Sequence, residues 1–133
     1  MEKGQAVFGR AEFIKAEKEP SPYSHYDPAP CFRKEFLWEG DVGKARLFLQ
    51  SPGFAKVYIN GKSITEDLFV SPVSDYSKIL WYNVYDVTEL ICRGVNVIGV
   101  VAGNGFFSES FDTAWHFPTA AWHSSPHWRN AGK

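Results

Sequence analysis

The sequence has few cysteines, no long apolar run and almost no net charge, and each of these shortages excludes a class of protein. Its 133 residues include two cysteines, Cys31 and Cys92, too few for a disulfide framework. Free thiols are therefore expected, with one bridge left open. No apolar run approaches the roughly 20 residues of a membrane span. A formal charge of -1 gives no reason to expect nucleic acid, an anionic membrane or a polyanionic substrate.

The beginning of the chain differs in composition from the rest. Residues 1–19 are rich in charge and lack the apolar h-region of a signal peptide. Residues 19–30 hold four prolines, which favour an extended connector because proline fixes φ and lacks a backbone donor. We interpret residues 1–31 as an N-terminal segment with a proline-rich connector, and residues 32–133 as one domain.

The domain itself has the pattern of an all-β protein. Aromatic residues make up 17% of the chain, and short alternating runs are separated by turn residues. This pattern predicts an antiparallel β-sandwich. Asn60-Gly61 predicts a type I′ hairpin, because both residues tolerate positive φ. Asp86–Cys92 predicts one helical turn, capped by Asp86 and closed by Gly94. The predicted strands cover residues 32–38, 44–50, 54–59, 79–85 and 95–101.

The run at residues 95–101 is nearly all apolar. Such a run is typical of a strand that is buried on both faces or central in a sheet. We therefore expect it to contribute to the core together with residues of the second and third predicted strands. The predicted core residues are Leu47, Leu49, Val57, Ile59, Val97, Ile98, Val100 and Val101.

A glycine pair follows this strand, in Gly103-Asn104-Gly105. A dinucleotide-binding fingerprint needs a third glycine and a helix after it, and a Walker loop needs Gly-Lys-Ser/Thr. Here Phe106 and Phe107 follow instead. The pattern excludes a nucleotide site of either kind and predicts a corner at the end of a strand.

Six motifs in order resemble one known family. The motifs are FRKEF (32–36), KARLFL (44–49), VYINGKSI (57–64), DYSK (75–78), YNVYDVTELI (82–91) and GVNVIGVVAGNGFF (94–107). Together, their order and spacing are similar to those of the N-terminal domain of bacterial α-L-rhamnosidases, in glycoside hydrolase family 78, over about residues 30–117.

The resemblance implies a jelly-roll-like sandwich that is a non-catalytic accessory domain. In the family it supports a catalytic (α/α)₆ barrel of the same polypeptide, where two carboxylic groups hydrolyse terminal L-rhamnose with inversion. We expect the chain to be a fragment of such a bacterial enzyme, cytoplasmic or exported, with its domain truncated at the C-terminal end. A missing strand would leave an edge, which a second copy could cover in a homodimer.

The alternative interpretation is a genuine carbohydrate-binding module for L-rhamnose-containing plant glycans. Exposed rings stack on the apolar face of a sugar, and we take Trp38 and Trp81, in predicted strands, as core or sheet-face residues. The corner differs from the family pattern, because two phenylalanines replace its Trp-Tyr pair. The candidate carbohydrate-binding residues are Asn104, Phe106, Phe107, Trp115 and Trp122.

No catalytic residue and no cofactor is expected in this chain. A calcium ion is the alternative left open, with the amide oxygens of Asn60 and Asn104 as candidate ligands. Turn formation also accounts for both asparagines. The histidines at 116, 123 and 127 suggest zinc, but two prolines between residues 118 and 127 argue against helical ligand spacing.

Overall fold

A computed structural model describes residues 8–16, 28–67 and 72–107, and this part of the chain is built from β-strands. The exceptions are one short 3₁₀ turn, Thr88–Leu90, and a single residue in helical conformation, Phe8. Within these residues, no helix has the length and apolar character needed to cross a membrane. The strands are β1 (Cys31–Trp38), β2 (Arg46–Leu49), β3 (Phe54–Ile59), β4 (Lys62–Ser63), β5 (Asn83–Asp86) and β6 (Gly94–Gly103).

The strands form two antiparallel sheets. The larger sheet has the order β1-β6-β3-β4, and the smaller sheet pairs β2 with β5. This arrangement confirms the predicted all-β sandwich. The jelly-roll connection stays a prediction.

Strand β6 lies between β1 and β3, so its predicted central position is confirmed. Val57 and Ile59 of β3 pair with Val100 and Ile98 of β6, and directly paired side chains lie on the same face of a sheet. Val57 and Ile59 are buried, at 0% and 2% exposure. This face of the larger sheet therefore holds the core.

The predicted burial of Val101, in β6, is wrong. Val101 is 38% exposed and Val95 62% exposed, because their side chains alternate onto the opposite face of the sheet. The centre of the strand is half-buried. The predicted core residues that are half-buried rather than buried are Leu47, Leu49, Val97, Ile98 and Val100.

Strand β3 has the predicted bounds, whereas the strand predicted over 79–85 begins only at Asn83. The residues before it form a loop in which backbone groups make hydrogen bonds within the loop itself. The amide nitrogens of Lys78 and Ile79 donate to the carbonyl oxygen of Asp75, and the Ser74 hydroxyl donates to the carbonyl oxygen of Ile79. Ile79, the first residue of the predicted strand, therefore belongs to this loop.

The 3₁₀ turn confirms the predicted helical turn but not its caps. Val87 occupies the N-cap position without a side-chain hydrogen bond, and Ile91 at the C-cap is extended. Asp86 instead accepts a 3.0 Å bond from the amide of Thr88. Gly94, at φ 101°, starts β6. Both cysteines are exposed and unbridged, which confirms the predicted free thiols.

Candidate functional site

The corner after β6 is formed by two backbone segments in close contact. Gly103 pairs with Phe54 at the end of the β3–β6 ladder. A Cβ atom on Gly53 would overlap the carbonyl oxygen of Gly103 and lie 2.8 Å from that of Asn104. Gly105 adopts φ 55°, and a Cβ there would lie 3.0 Å from the Cα of Gly53. Glycine is needed at both positions so that backbone can pack on backbone.

The two candidate phenylalanines of the corner pack against other rings. Phe106 meets Phe54 edge to face, with ring centroids 5.7 Å apart. Phe107 meets Tyr76 in the same geometry at 5.5 Å. Both phenylalanines are half-buried, and Tyr76 is 3% exposed, so that burial raises the pKa of its phenol. The arrangement gives Phe106 and Phe107 a packing role that the sequence did not indicate.

Asn104 lies between these features and is exposed. Within the part of the chain that the structure describes, its side chain makes no hydrogen bond. Its amide is therefore open to solvent at the corner. Trp115, Trp122 and the three histidines of the C-terminal region lie outside the described residues, so their predicted roles stay predictions.

The Asn60-Gly61 turn is at the other end of the same ladder. Asn60 and Gly61 have φ of 49° and 82°, and Ile59 pairs with Lys62 across the two-residue loop, which confirms the predicted type I′ hairpin. The Asn60 amide group donates to the carbonyl oxygen of Leu90 and to Oδ1 of Asn96, each at 2.8 Å. Its own Oδ1 accepts a 2.9 Å bond from the amide of Val97.

Asn96 is the buried centre of this network and has no exposed surface. Its Oδ1 also accepts from the amide of Cys92 at 2.9 Å. Its Nδ2 donates to the carbonyl oxygens of Cys92 and Gly94, at 2.7 and 3.1 Å. A buried amide with all its groups bonded ties the loop before β6 to the hairpin. The only sign of this role in the sequence is a lone asparagine within an apolar run.

The two candidate metal ligands, Asn60 and Asn104, are at opposite ends of the ladder. Ile59 pairs with Ile98 and Phe54 with Gly103, so about five residues, or roughly 17 Å, separate them along the strand. One ion therefore cannot bind both side chains. No cluster of three His, Cys, Asp or Glu side chains occurs among residues 8–16, 28–67 and 72–107. Calcium at either asparagine stays a separate prediction.

Exposed rings occur away from the corner. Trp38 is 44% exposed on β1, which agrees with the expected sheet-face position, whereas Trp81 is 53% exposed just before β5 and outside a strand. Tyr82 is 41% exposed and lies between Phe8 and Phe48, with ring centroids 5.5 and 6.3 Å away. These three rings are more exposed than the half-buried rings of Phe106 and Phe107.

Two carboxyl groups at the surface, those of Asp75 and Asp86, have shifted pKa values. A hydrogen bond and ion pair with Lys78, at 2.8 Å, lower the pKa of Asp75 and raise that of Lys78. Hydrogen bonds from Thr88 lower the pKa of Asp86. A general acid of a glycosidase needs a raised carboxyl pKa, and both shifts are in the opposite direction.

Comparison with known proteins agrees with the architecture. A family model for the alpha-L-rhamnosidase N-terminal domain matches residues 40–128. An alpha-L-rhamnosidase of Alteromonas sp. is 38% identical over 77 residues, which are 57% of this chain and 8% of that protein. One of Formosa agariphila is 38% identical over 76 residues, with the same shares. The chain thus spans less than a tenth of the length of these relatives.

Solved structures give the same result. The chain resembles the alpha-L-rhamnosidase of Dictyoglumus thermophilum at 37% identity with a TM-score of 0.59, over 62% of this chain and 9% of that one. It resembles that of Aspergillus terreus at 29% identity with a TM-score of 0.68, over 75% and 12% of the two chains. With a family model that covers more than half of its residues, the chain belongs to the alpha-L-rhamnosidase N-terminal domain family.

Proposed function

We propose that this chain is a non-catalytic accessory domain of an α-L-rhamnosidase. It supports a catalytic (α/α)₆ barrel of the same polypeptide and contributes to the recognition of rhamnose-containing substrate. The observation that carries the proposal is the family match over residues 40–128, together with relatives that are named alpha-L-rhamnosidases and of which the matched segment is 8%.

Two carboxyl groups of the described surface are unsuited to act as the general acid of a glycosidase. An inverting glycosidase needs two carboxyl groups about 6.5–9.5 Å apart, of which one has a raised pKa. The carboxyl groups of Asp75 and Asp86 have lowered pKa values and bond to their own loops. They are suited to fixing turns in place.

An activity assay tests the non-catalytic part of the proposal. The purified chain is incubated with a nitrophenyl α-L-rhamnoside, beside the full-length relative from Alteromonas sp. as a positive control. We expect turnover by the relative and release by the chain that equals the buffer blank. Release above the blank that copurifies with the folded chain would contradict the proposal.

Carbohydrate binding is the second candidate function, and the exposed rings favour it. Trp81 and Tyr82 are adjacent in sequence and 53% and 41% exposed, and an exposed indole can stack on the apolar face of a sugar. Calorimetric titration with L-rhamnose tests this candidate. A Trp81→Ala variant should lose the heat of binding, whereas a Phe106→Leu variant should keep it if that ring only packs.

A homodimer and a compartment stay predictions. Strand β1 is an edge of the larger sheet and carries charged Arg33, Lys34 and Glu35, which oppose edge-to-edge pairing. Sedimentation of the chain over a hundredfold concentration range would detect a dimer if it forms.

A further inference from the structure

The chain contains two Asn-Gly pairs whose side chains differ in freedom. Asn-Gly is the sequence in which asparagine deamidates most readily, because the following residue has no side chain to hinder attack. The backbone nitrogen of the glycine loses its proton and bonds to Cγ of asparagine, and the bond from Cγ to Nδ2 breaks. Ammonia leaves, and water opens the resulting succinimide to aspartate or isoaspartate.

In the first pair, the fold holds the reacting amide. The Nδ2 of Asn60 donates to Leu90 and Asn96, and its Oδ1 accepts from Val97. Rotation of Cγ toward the nitrogen of Gly61 requires these three bonds to break. Each bond that must break lowers the population of the reactive rotamer.

In the second pair, none of the residues that the structure describes forms a hydrogen bond with the side-chain amide. Asn104 is exposed, and its side chain makes no hydrogen bond in the part of the chain that the structure describes. Gly105 is already in the left-handed region at φ 55°. The asparagine is therefore accessible to water.

We propose that Asn104 is a modification site, at which the folded chain deamidates, whereas the Asn60–Asn96 amide network protects the equivalent pair at the hairpin. The product affects the corner in a specific way. Aspartate adds a negative charge beside Phe106 and Phe107. Isoaspartate adds a methylene to the backbone where Gly53 and Gly105 already leave too little room for one Cβ.

The experiment compares the two sites within one molecule. The intact chain is incubated at mildly alkaline pH, folded in buffer and unfolded in urea, and is then digested and analysed by mass spectrometry at intervals. Aspartate and isoaspartate peptides are separated by chromatography. In the folded chain we expect conversion at Asn104 to exceed that at Asn60 by roughly tenfold or more, because three hydrogen bonds oppose the reaction at Asn60.

The urea arm distinguishes structure from sequence. With the network broken, both pairs should convert at nearly equal rates. An Asn104→Gln variant is the control, because glutamine forms the corresponding six-membered ring far more slowly, and the signal assigned to the corner should disappear. A folded-state ratio below tenfold, no conversion at Asn104, or a ratio that persists in urea would overturn the proposal.

Discussion

The two ends of the β3–β6 ladder each carry an Asn-Gly pair, and different interactions hold them. At the hairpin end, the side chain of Asn60 bonds to residues 30 to 37 positions away in sequence. At the corner end, glycines let two backbone segments approach closely, and two rings pack edge to face over them. The same dipeptide is thus a structural connection in one place and an exposed turn in the other.

The largest expected effect is at the hairpin end, for Asn96→Ala. The substitution removes the acceptor for Asn60 and Cys92 and leaves two carbonyl oxygens without their donor. Because buried unpaired groups cost about 1–3 kcal/mol each, we expect the free energy of unfolding to fall by about 3 kcal/mol. Equilibrium unfolding in urea measures this change in the free energy of unfolding.

Val101→Ala on the same strand is the matched control for Asn96→Ala. Its side chain is 38% exposed, and we expect a loss of less than about 1 kcal/mol. A loss for Asn96→Ala as small as that of the control would show that the amide network contributes little.

The next effect is at the corner, for Gly53→Ala. The added Cβ would collide with the carbonyl oxygens of Gly103 and Asn104, and backbone cannot move aside as a flexible side chain can. We expect a loss of about 2 kcal/mol, as for other overpacked sites. Gly43→Ala is the control, because no atom lies within 4 Å of its Cβ position, and it should change stability by about 0.5 kcal/mol or less. Equal effects for the two alanines would contradict the close approach.

A smaller effect is expected for the ring pair at the corner. A double-mutant cycle with Phe54→Leu and Phe106→Leu keeps apolar volume and removes the edge-to-face contact. We expect a coupling energy of about 1 kcal/mol. The control cycle combines Phe54→Leu with Phe48→Leu, because Phe48 lies on the smaller sheet. The stability losses of these two substitutions should be additive. A coupling near zero for the first pair would show that the edge-to-face contact does not stabilise the corner.

The smallest effect is the pH dependence of the loop at the hairpin end. Hydrogen bonds from Thr88 lower the pKa of Asp86 in the folded chain. Its contribution is therefore present above the unfolded pKa and is lost as pH falls through the folded pKa. We expect the stability difference between the wild type and Asp86→Asn to shrink when urea unfolding is repeated at about pH 3 rather than pH 7. A difference that grows in acid would contradict the lowered pKa.

Local chemistry explains what could be predicted from the sequence. The bounds of β3 and the hairpin at Asn60-Gly61 followed from alternation and from tolerance of positive φ, which are properties of neighbouring residues. These features need no knowledge of distant contacts.

The rest depended on contacts between distant residues. The apolar run of β6 did not reveal that Val95 and Val101 face outward, because periodicity does not say which faces of a central strand are covered. The role of Asn96 needed the loop around Cys92 beside it. The packing of the candidate residues Phe106 and Phe107 against Phe54 and Tyr76 could not be predicted either, because these partners are 52 and 31 residues away and only the fold brings the rings together.

Binding to a rhamnosidase barrel tests the central claim most directly. The relative from Alteromonas sp. is prepared intact and with the segment that matches this chain deleted, and each form is titrated with the purified chain in a calorimeter. If the chain is a supporting domain, it should bind the deleted form with saturating heat, and the intact form, whose site is occupied, should give only heat of dilution. Equal heats with both forms, or saturating heat with neither, would contradict a supporting role.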